Sequence, residues 1–501
     1  MSHLLIAPVL LPAILGALIV LALRRDLRAQ RVVSVAGTAL LGLIALRLNL
    51  LAAGDQILVY RLGNWAAPFG IVLMLDRLSA LMLLLTAGLA LPVQIYALGS
   101  GWDRRGWHFH ALWQFQLMGL CGAFLTGDAF NLFVFFEVLL IASYGLMIHG
   151  GGALRLRAGV QYVVLNLAGS ALFLIALGVL YAVTGTLNMA DMAARIAALP
   201  ADHAALLRVG AVLLMLVFAL KAALVPLHFW LPATYAQAPG PVAALFAIMT
   251  KVGVYAIIRF AMLVFPGLQL PLSGLLLPAA LVTLVLGQIG ILGARHLGRM
   301  AAFAALASVG TLMLAVAQFT PQALAAAIWY LVHSTLAAGA LFLVMDLIGA
   351  RRGDLWLRPG RPLPGLVAAF YFAAAIAMAG LPPLSGFVGK LLILEASRTS
   401  PAAVWIWAVV LGGSLVAVYG FARAGSILFW NDAAPQQLVT APEDALSPAL
   451  AMAAVAALLA GLVALTVWAG PMLDLAQAAA AQLADPAAYQ RAVLIGQEGT
   501  K

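Results

Sequence analysis

The sequence predicts an all-α, polytopic membrane protein with about fourteen transmembrane helices, in which two inverted five-helix repeats each contain a broken helix. Three observations support this fold class. Hydrophobic residues make up 65% of the 501 residues and charged residues only 9%, whereas a soluble domain carries about a quarter charged residues. Arginines cluster after alternate apolar runs, and prolines interrupt two of these runs close to a lysine.

Apolar runs of about 20 residues, the length that crosses a bilayer, recur along the chain. Arginines follow the first run instead of preceding it, so we expect a retained helix and not a signal peptide. A single integral membrane domain is expected over 1–501, with a short tail at 471–501 that begins with an amphipathic helix at 472–483. We place the fourteen spans at 4–23, 32–52, 73–97, 109–126, 129–149, 160–184, 207–230, 241–265, 272–293, 299–319, 323–348, 364–395, 402–430 and 447–470.

The arginine clusters indicate the orientation of the spans. Each cluster follows an odd-numbered span, so all of them lie on one side of the membrane, which the positive-inside rule makes cytoplasmic. Both termini are therefore predicted to lie outside. The clusters are Arg24, Arg25, Arg28 and Arg31 after span one, Arg104 and Arg105 after span three, Arg155 and Arg157 after span five, Arg295 and Arg299 after span nine, and Arg351, Arg352, Arg358 and Arg361 after span eleven.

Three of the four lysines, Lys221, Lys251 and Lys390, interrupt apolar runs. A charge at the centre of a membrane helix costs roughly 3 kcal/mol on insertion scales, and such residues commonly mark an ion or proton path. Lysine suits this role because it can lose its proton when buried, whereas arginine stays charged. The alternative for any one lysine is that its long side chain reaches the membrane surface from a helix end.

Prolines predict that two spans are broken. Pro226 follows Lys221 by five residues, and Pro382 and Pro383 precede Lys390 by less than three helical turns. Proline removes a backbone donor and clashes with the preceding turn, so a helix bends or breaks there. Proline kinks are common in membrane helices, but discontinuous helices in corresponding halves point to a transport site.

The two broken spans also predict an internal repeat. Lys221 and Lys390 lie five spans apart, and an odd number of spans inverts the second copy in the membrane. We assign the first repeat to 109–265 and the second to 272–430. The repeat is not exact, because Lys221 precedes its break whereas Lys390 follows its own.

Other polar residues in apolar runs are candidates for proton transfer. Glu137 lies well inside span five, and the alternative is a neutral acid that is hydrogen-bonded between helices. His333 lies inside span eleven, and an unperturbed histidine titrates near neutral pH, although a buried histidine is often only a hydrogen-bonded core residue. His228 lies at the break of span seven, where it could link Lys221 to Lys251 through water.

The sequence also argues against several classes of site. Cys121 is the only cysteine, which excludes an intrachain disulfide and a cysteine-based metal cluster. The spacing of histidines and glutamates suggests no metal site, and no glycine-rich phosphate loop is present, so we expect no metal and no cofactor. The net charge of +10 is divided among short loops, which is not the pattern of a nucleic-acid-binding surface.

Five stretches of the sequence form recognisable motifs. They are ALKAALVPLHFWLPATYAQAPGPVAALFAIMTKVGVYAIIRF at 219–260, DRLSALMLLL at 76–85, FNLFVFFEVLLIASYGL at 130–146, LVHSTLAAGALFL at 331–343 and LPPLSGFVGKLLIL at 381–394. These stretches resemble the antiporter-like subunits shared by respiratory complex I, membrane-bound hydrogenases and Mrp-type cation/proton antiporters. The segments PLHFWLP and TKVGVYAIIR are most similar to the D-type subunits of the Mrp antiporters. The resemblance covers nearly all of the chain.

The resemblance implies fourteen helices, two inverted five-helix repeats with broken helices seven and twelve, and a buried proton path. In the family, the glutamate of helix five pairs with the lysine of helix seven, which correspond here to Glu137 and Lys221. The other path residues correspond to Lys251, His333 and Lys390.

The function implied is that of a membrane subunit of a multisubunit Na⁺(K⁺)/H⁺ antiporter for pH and salt homeostasis, a secondary transporter in the bacterial cell membrane and not an enzyme. Its expected partners are the other antiporter subunits, protons, monovalent cations and the lipid bilayer, without nucleic acid. One alternative is a proton-pumping subunit of a complex I or membrane hydrogenase type of redox complex. A contrasting alternative is a structural membrane protein whose buried charges serve helix packing.

Overall fold

The computed structural model describes residues 2–54, 56–65, 67–199, 204–430 and 447–494. An acidic loop that the sequence predicts at 431–444 lies outside these described residues. The described part is a bundle of α-helices with one small hairpin of strands. Its helices are α1 (Ala7–Leu21), α2 (Leu27–Ala52), α3 (Arg77–Gly99), α4 (Phe109–Leu125), α5 (Ala129–Met147), α6 (Ala153–Thr184), α7 (Met189–Ala197), α8 (Ala204–Ala222), α9 (Trp230–Gln237), α10 (Gly240–Phe246), α11 (Met249–Arg259), α12 (Gln269–Gly293), α13 (Leu297–Val316), α14 (Pro321–Arg352), α15 (Gly365–Ala379), α16 (Ser385–Ala396), α17 (Ala403–Phe429), α18 (Pro448–Val467), α19 (Ala469–Leu483) and α20 (Pro486–Leu494).

The helices confirm the predicted polytopic membrane fold. Eleven helical segments among the described residues are long and apolar enough to cross a membrane. Each of the fourteen predicted spans coincides with a helix or with a pair of consecutive helices. Span seven is divided into α8 and α9, and span twelve into α15 and α16, as the prolines predict. Span eight is also divided, into α10 and α11, which no feature of the sequence had indicated.

The predicted start of span three is wrong by a few residues. Strands β1 (Leu58–Arg61) and β2 (Val72–Leu75) form an antiparallel hairpin, with Leu58 opposite Leu75. Helix α3 begins only after Asp76, whose carboxylate accepts the Ser79 N–H at 2.8 Å while the Ser79 hydroxyl accepts the Asp76 N–H at 2.9 Å. This reciprocal capping satisfies amides that the first turn leaves unpaired, so it fixes where the helix begins.

A buried ion pair ties this helix start to the centre of the molecule. Both carboxylate oxygens of Asp76 accept hydrogen bonds from the guanidinium of Arg259, at the end of α11, and both side chains are only 3% exposed. Arg259 also donates to the Tyr255 hydroxyl at 2.9 Å, and that hydroxyl donates to the carbonyl of Phe124 at 2.6 Å. The network joins α3, α4 and α11.

The same helix contacts occur twice along the chain. Helix α4 packs on α5 as α12 packs on α13, and α6 packs on α8 as α14 packs on α15. Helix α8 contacts α11 as α15 contacts α17. At the centre lie α10 and α11, in which every residue is buried, and most of α13 and α14. The polar side chains on these central helices are therefore shielded from lipid by protein.

The predicted amphipathic helix after the last span is confirmed. Helix α19 begins at Ala469 and ends at Leu483, and it packs against α14, α3 and α18. A further short helix, α20, follows it and contacts α7 and β1.

Candidate functional site

The three lysines of the apolar spans are all buried. Lys221 is 5% exposed, Lys251 0% and Lys390 7%. Each lies close to an interruption of its helix: Lys221 is the penultimate residue of α8, Lys251 is the third residue of α11, and Lys390 lies in the second turn of α16. The lysines therefore do not reach the membrane surface, which removes that alternative for all three.

The first break is held by hydrogen bonds from neighbouring side chains. The indole Nε1 of Trp230 donates to the carbonyl of Leu220 at 3.0 Å. The N–H of Val225, just before Pro226, donates to the hydroxyl of Thr283 on α12 at 3.0 Å. Backbone groups that a broken helix leaves unpaired are costly in a bilayer. These two bonds therefore stabilise the break, and the second one comes from the other half of the chain.

The Lys221 amine is held by α6. Its Nζ donates to Oδ1 of Asn166 at 3.2 Å and lies 3.5 Å from the Asn166 carbonyl oxygen. One turn along α6, the hydroxyl of Ser170 donates to Oε1 of Glu137. Among the ion pairs of the described residues, none joins Glu137 directly to Lys221, so the direct contact that the resemblance implies is not present in this structure. Glu137 and Lys221 bond instead to two residues of α6 that lie four positions apart.

Lys251 differs from the other two lysines because its amine has no hydrogen-bond partner among the described residues. The helix is wound more tightly just before it, and the Lys251 N–H donates to the carbonyl of Ile248 at 3.0 Å, a three-residue spacing. The hydroxyl of Tyr235 donates to the carbonyl of Phe246 at 2.7 Å, at the end of α10. A fully buried amine without a protein partner is the kind of group to which buried water molecules bond inside proteins.

His333 on α14 lies at the second break. Its Nδ1 is 2.9 Å from the hydroxyl of Ser385, the first residue of α16. At Gly386 a β-carbon would come within 2.8 Å of Nε2, so the absence of a side chain there lets the histidine approach the second break.

Lys390 is held by the end of the preceding half-helix. Its Nζ donates to the carbonyl of Ala379, the last residue of α15, at 2.7 Å and to the hydroxyl of Ser414 on α17 at 2.8 Å. Gly380 caps α15 with φ +76°, and a β-carbon there would lie 2.7 Å from Cδ of the lysine. The carbonyl end of a helix carries partial negative charge, which favours a cation.

The remaining predicted residues lie at the breaks. His228 is half-buried, and its Nδ1 has no hydrogen-bond partner among the described residues. No hydrogen bond in the part of the chain that the structure describes joins it to Lys221 or Lys251. Pro226, Pro382 and Pro383 are exposed on the surface of the isolated chain. At each break, therefore, the prolines lie at the surface of the chain and the neighbouring lysine is buried.

Sequence reasoning missed the neutral residues that hold these charges: Asn166, Ser170, Thr283, Ser385 and Ser414. A signal existed for the first two. They are four residues apart in the apolar middle of α6, which places them on one face. Serine and threonine are frequent in membrane helices, where they usually bond their own backbone, so the other three carried no comparable signal. Among the described residues, no group of three or more His, Cys, Asp or Glu side chains could hold a metal ion.

The match to a known family covers the region of these residues. The model of the NADH:quinone oxidoreductase/Mrp antiporter transmembrane family matches residues 126–417, which include all three buried lysines, Glu137 and His333. The chain belongs to this family. Its relatives extend the likeness over nearly the whole chain.

Two curated relatives and one solved structure illustrate that likeness. The D-type subunit of a probable K⁺/H⁺ antiporter from Rhizobium meliloti is 40% identical, over 99% of this chain and 98% of the relative. The D-type subunit of the Na⁺/H⁺ antiporter of Bacillus subtilis is 38% identical, over 99% of this chain and 100% of the relative. A chain in the structure of the Mrp complex from Dietzia sp. superposes with a TM-score of 0.88 at 29% identity, over 98% of this chain and 99% of that one.

Proposed function

We propose that the chain is the D-type subunit of a multisubunit Mrp-type Na⁺(K⁺)/H⁺ antiporter, and that it conducts protons along Glu137, Lys221, Lys251, His333 and Lys390. It acts as a secondary transporter subunit and not as an enzyme. The observation that carries the proposal is that three amines are buried beside interruptions of their helices. Buried ionisable groups in membrane helices mark ion and proton paths by default.

The contacts support an order along the path. Glu137 and Lys221 meet the same face of α6, and His333 and Lys390 both bond to residues of the second break. The Lys251 amine has no hydrogen-bond partner among the described residues, so we infer that water links it to the other groups of the path. A membrane potential of 100 mV contributes about 2.3 kcal/mol per charge, enough to bias the protonation of such groups.

The recurring helix contacts support two repeats, at 109–265 and 272–430, each with one broken helix. The arginine loops support an orientation in which both termini lie outside the cell membrane of a bacterium. In this orientation the two repeats present their breaks in opposite directions across the bilayer.

Exposure of the breaks supports a hetero-oligomeric complex. Pro226, Pro382 and Pro383 are exposed in the isolated chain. Irregular backbone at membrane depth is tolerated only where protein or water covers it. We therefore infer that other subunits of the antiporter cover at least one of the two breaks.

The experiment measures cation-dependent collapse of a pH gradient in everted vesicles. Vesicles that contain the complete set of antiporter subunits are expected to exchange Na⁺ or K⁺ for protons, and vesicles with this chain alone are expected not to. Lys390→Met in the complete complex should abolish exchange. Glu395→Gln is the matched control, because Glu395 is an exposed carboxylate on the same helix, paired with Arg398 at 3.0 Å.

Robust exchange by the chain alone would contradict the multisubunit proposal. A proton-pumping subunit of a redox complex is the second candidate, since the family includes such subunits. The antiporter is favoured because the two curated relatives at 38–40% identity are antiporter subunits over almost their whole length. Proton pumping that requires an electron donor, without cation exchange, would reverse this preference.

A further inference from the structure

One face of α6 lies against both Glu137 and Lys221, the acid and the base of the first half. Asn166, Gly169 and Ser170 lie three and four residues apart, so they share this face. The Lys221 amine bonds to Asn166 at one end of the face, and Glu137 bonds to Ser170 at the other. Four residues correspond to about 6 Å along a helix axis. The two charged groups are therefore neighbours on α6 without being in contact.

Glycine at position 169 lets two side chains of α8 lie close to α6 between these two positions. A β-carbon at Gly169 would come within 2.4 Å of Cδ2 of Leu220 and 3.9 Å from Cε of Lys221. The Leu220 side chain thus packs on the glycine, and the lysine stem lies beside it. Any larger residue there would push Leu220 into the space through which the amine would have to travel to reach Ser170.

The two polar residues of this face differ in proton chemistry. The amide oxygen of asparagine only accepts hydrogen bonds, and the Asn166 Nδ2 is engaged with the carbonyl of Tyr162 at 2.9 Å. A serine hydroxyl donates one hydrogen and accepts others, so it can take up one proton as it releases another. Asn166 can therefore hold an ammonium group, whereas Ser170 can pass a proton between the ammonium group and the carboxylate.

We propose that Lys221 alternates between two positions on α6: a resting position on Asn166 and a transfer position on Ser170, reached by movement of the side chain over Gly169. In the transfer position Ser170 releases its hydroxyl proton to the Glu137 carboxylate and accepts one from the Lys221 ammonium group. One N–H bond breaks, one O–H bond forms on the glutamate, and the charged pair becomes a neutral pair. The reverse step restores the charges.

The separation of the two positions has a functional consequence. A direct, permanent ion pair would hold both charges in place, since breaking a buried pair is strongly unfavourable. Holding the ammonium group on a neutral amide keeps it available to water on the side of Lys251. The proton can then leave Lys221 in one direction after entering from the other.

This inference rests on the proposed function, and its test uses the complete complex in everted vesicles. Ser170→Ala is expected to lower exchange about 100-fold, the lower end of what a positioned proton-transfer group contributes. Ser170→Thr keeps the hydroxyl and should retain most of the activity. Ser308→Ala is the matched control, because Ser308 is a buried serine on α13 whose hydroxyl donates to the carbonyl of Ala305 on its own helix. Gly169→Ala should slow exchange without changing the amount of complex.

A spectroscopic measurement separates a relay from a purely structural role. The infrared difference spectrum between alkaline and acidic pH should contain a protonated-carboxyl band that disappears in Glu137→Gln. In Ser170→Ala this band should remain and move to higher frequency, because the carboxyl group loses a hydrogen-bond partner. Loss of structure would lower the amount of complex without moving this one band.

The outcomes are distinguishable. Normal exchange in both Glu137→Gln and Lys221→Ala would overturn the proposed path itself. If these two variants are inactive while Ser170→Ala exchanges at the normal rate with an unmoved band, the path stands and the relay on α6 is wrong. If Ser170→Ala fails to assemble, the near-isosteric Ser170→Cys decides, since its thiol is a weak donor and should slow exchange.

Discussion

The two broken helices hold their lysines in different ways. Before the first break, Lys221 bonds to the side chain of a neighbouring helix, Asn166 on α6. After the second break, Lys390 bonds to the carbonyl end of its own preceding half-helix, at Ala379, and to Ser414. Both lysines have one side-chain acceptor and one backbone acceptor, but both acceptors of Lys221 lie on another helix, whereas the backbone acceptor of Lys390 is the end of its own broken helix.

This difference shows that both halves can contain a broken helix although the exposed backbone groups of the break have different partners. In the second half, the break itself supplies the acceptor, since the last carbonyls of a helix have no partner within it. In the first half, Trp230 and Thr283 satisfy the freed backbone groups. The lysine must therefore find its acceptor elsewhere. The first half also has an acid, Glu137, which bonds to Ser170 on the helix that holds the lysine.

The largest expected effect is the loss of either lysine. Lys221→Ala and Lys390→Ala should each lower cation/proton exchange by about 100-fold or more, which corresponds to ~2.7 kcal/mol at 1.36 kcal/mol per decade. The reason is that each removes the one amine at its break. Exchange is measured in everted vesicles of the complete complex, with membrane abundance measured by immunoblot.

The conservative variants test whether the comparison is correct. Lys390→Arg keeps a cation for the Ala379 carbonyl but does not release its proton, so it should assemble and be inactive. Disappearance of Lys390→Ala, Lys390→Met and Lys390→Arg from the membrane would instead mean that Lys390 serves only folding.

The second prediction concerns the coupling between Glu137 and Lys221. Glu137→Gln and Lys221→Ala should each abolish exchange, and the double variant should be no less stable than the less stable single variant. The two charges interact across α6 and not in contact, so we expect a coupling energy near the lower end of the range of about 0.5–3 kcal/mol. Thermal unfolding of the purified complex measures it.

The ion pair between Asp76 and Arg259 provides the matched comparison. It is direct and 3% exposed on both sides. Removing one partner should cost ~3–5 kcal/mol, as for other broken buried pairs. Strictly additive losses of stability in the Glu137 and Lys221 variants would show that the two side chains do not interact. Coupling as strong as that of Asp76 and Arg259 would show that they pair directly in the working protein.

Much of this architecture was predictable from the sequence, for physical reasons that particular residues illustrate. Lys221, Lys251 and Lys390 stand out because an amine in an apolar run is costly. Pro226 and Pro382 stand out because each proline lies within a few turns of such a lysine, where a lost backbone donor favours a break. The positions of the arginine clusters constrained the number of spans, because one missed helix would have moved every later cluster to the opposite side of the membrane.

What the sequence could not show are contacts between distant helices. Thr283 is a membrane threonine like many others until α12 brings it to the N–H of Val225. The division of span eight into α10 and α11 carries no proline signal at the turn itself. The resemblance implied a direct contact of Glu137 with Lys221, but the structure inserts Asn166 and Ser170 between them.

The third prediction tests the contact between the two halves at the first break. Thr283→Val keeps the shape of the side chain but removes the acceptor for the Val225 N–H. A buried donor left unpaired costs about 1–3 kcal/mol, so the break should loosen. We expect exchange to fall several-fold and amide hydrogen exchange at Val225 to accelerate. Thr283→Ser keeps the hydroxyl and should behave like the wild type. Equal behaviour of the two variants would show that the hydroxyl does not hold the break.

The smallest effect is expected at His228. The two halves each place a histidine near a break, but their surroundings differ. His333 is 1% exposed and bonds to Ser385 at the second break, whereas His228 is half-buried beside the exposed Pro226. His333→Gln should therefore lower exchange strongly, while His228→Gln should change it by less than about threefold, or ~0.65 kcal/mol. Both variants are measured in the same vesicles at equal abundance. A large loss in His228→Gln would mean that water links this histidine to Lys221 in the working complex, and the first break would then resemble the second more closely than the hydrogen bonds of this structure indicate.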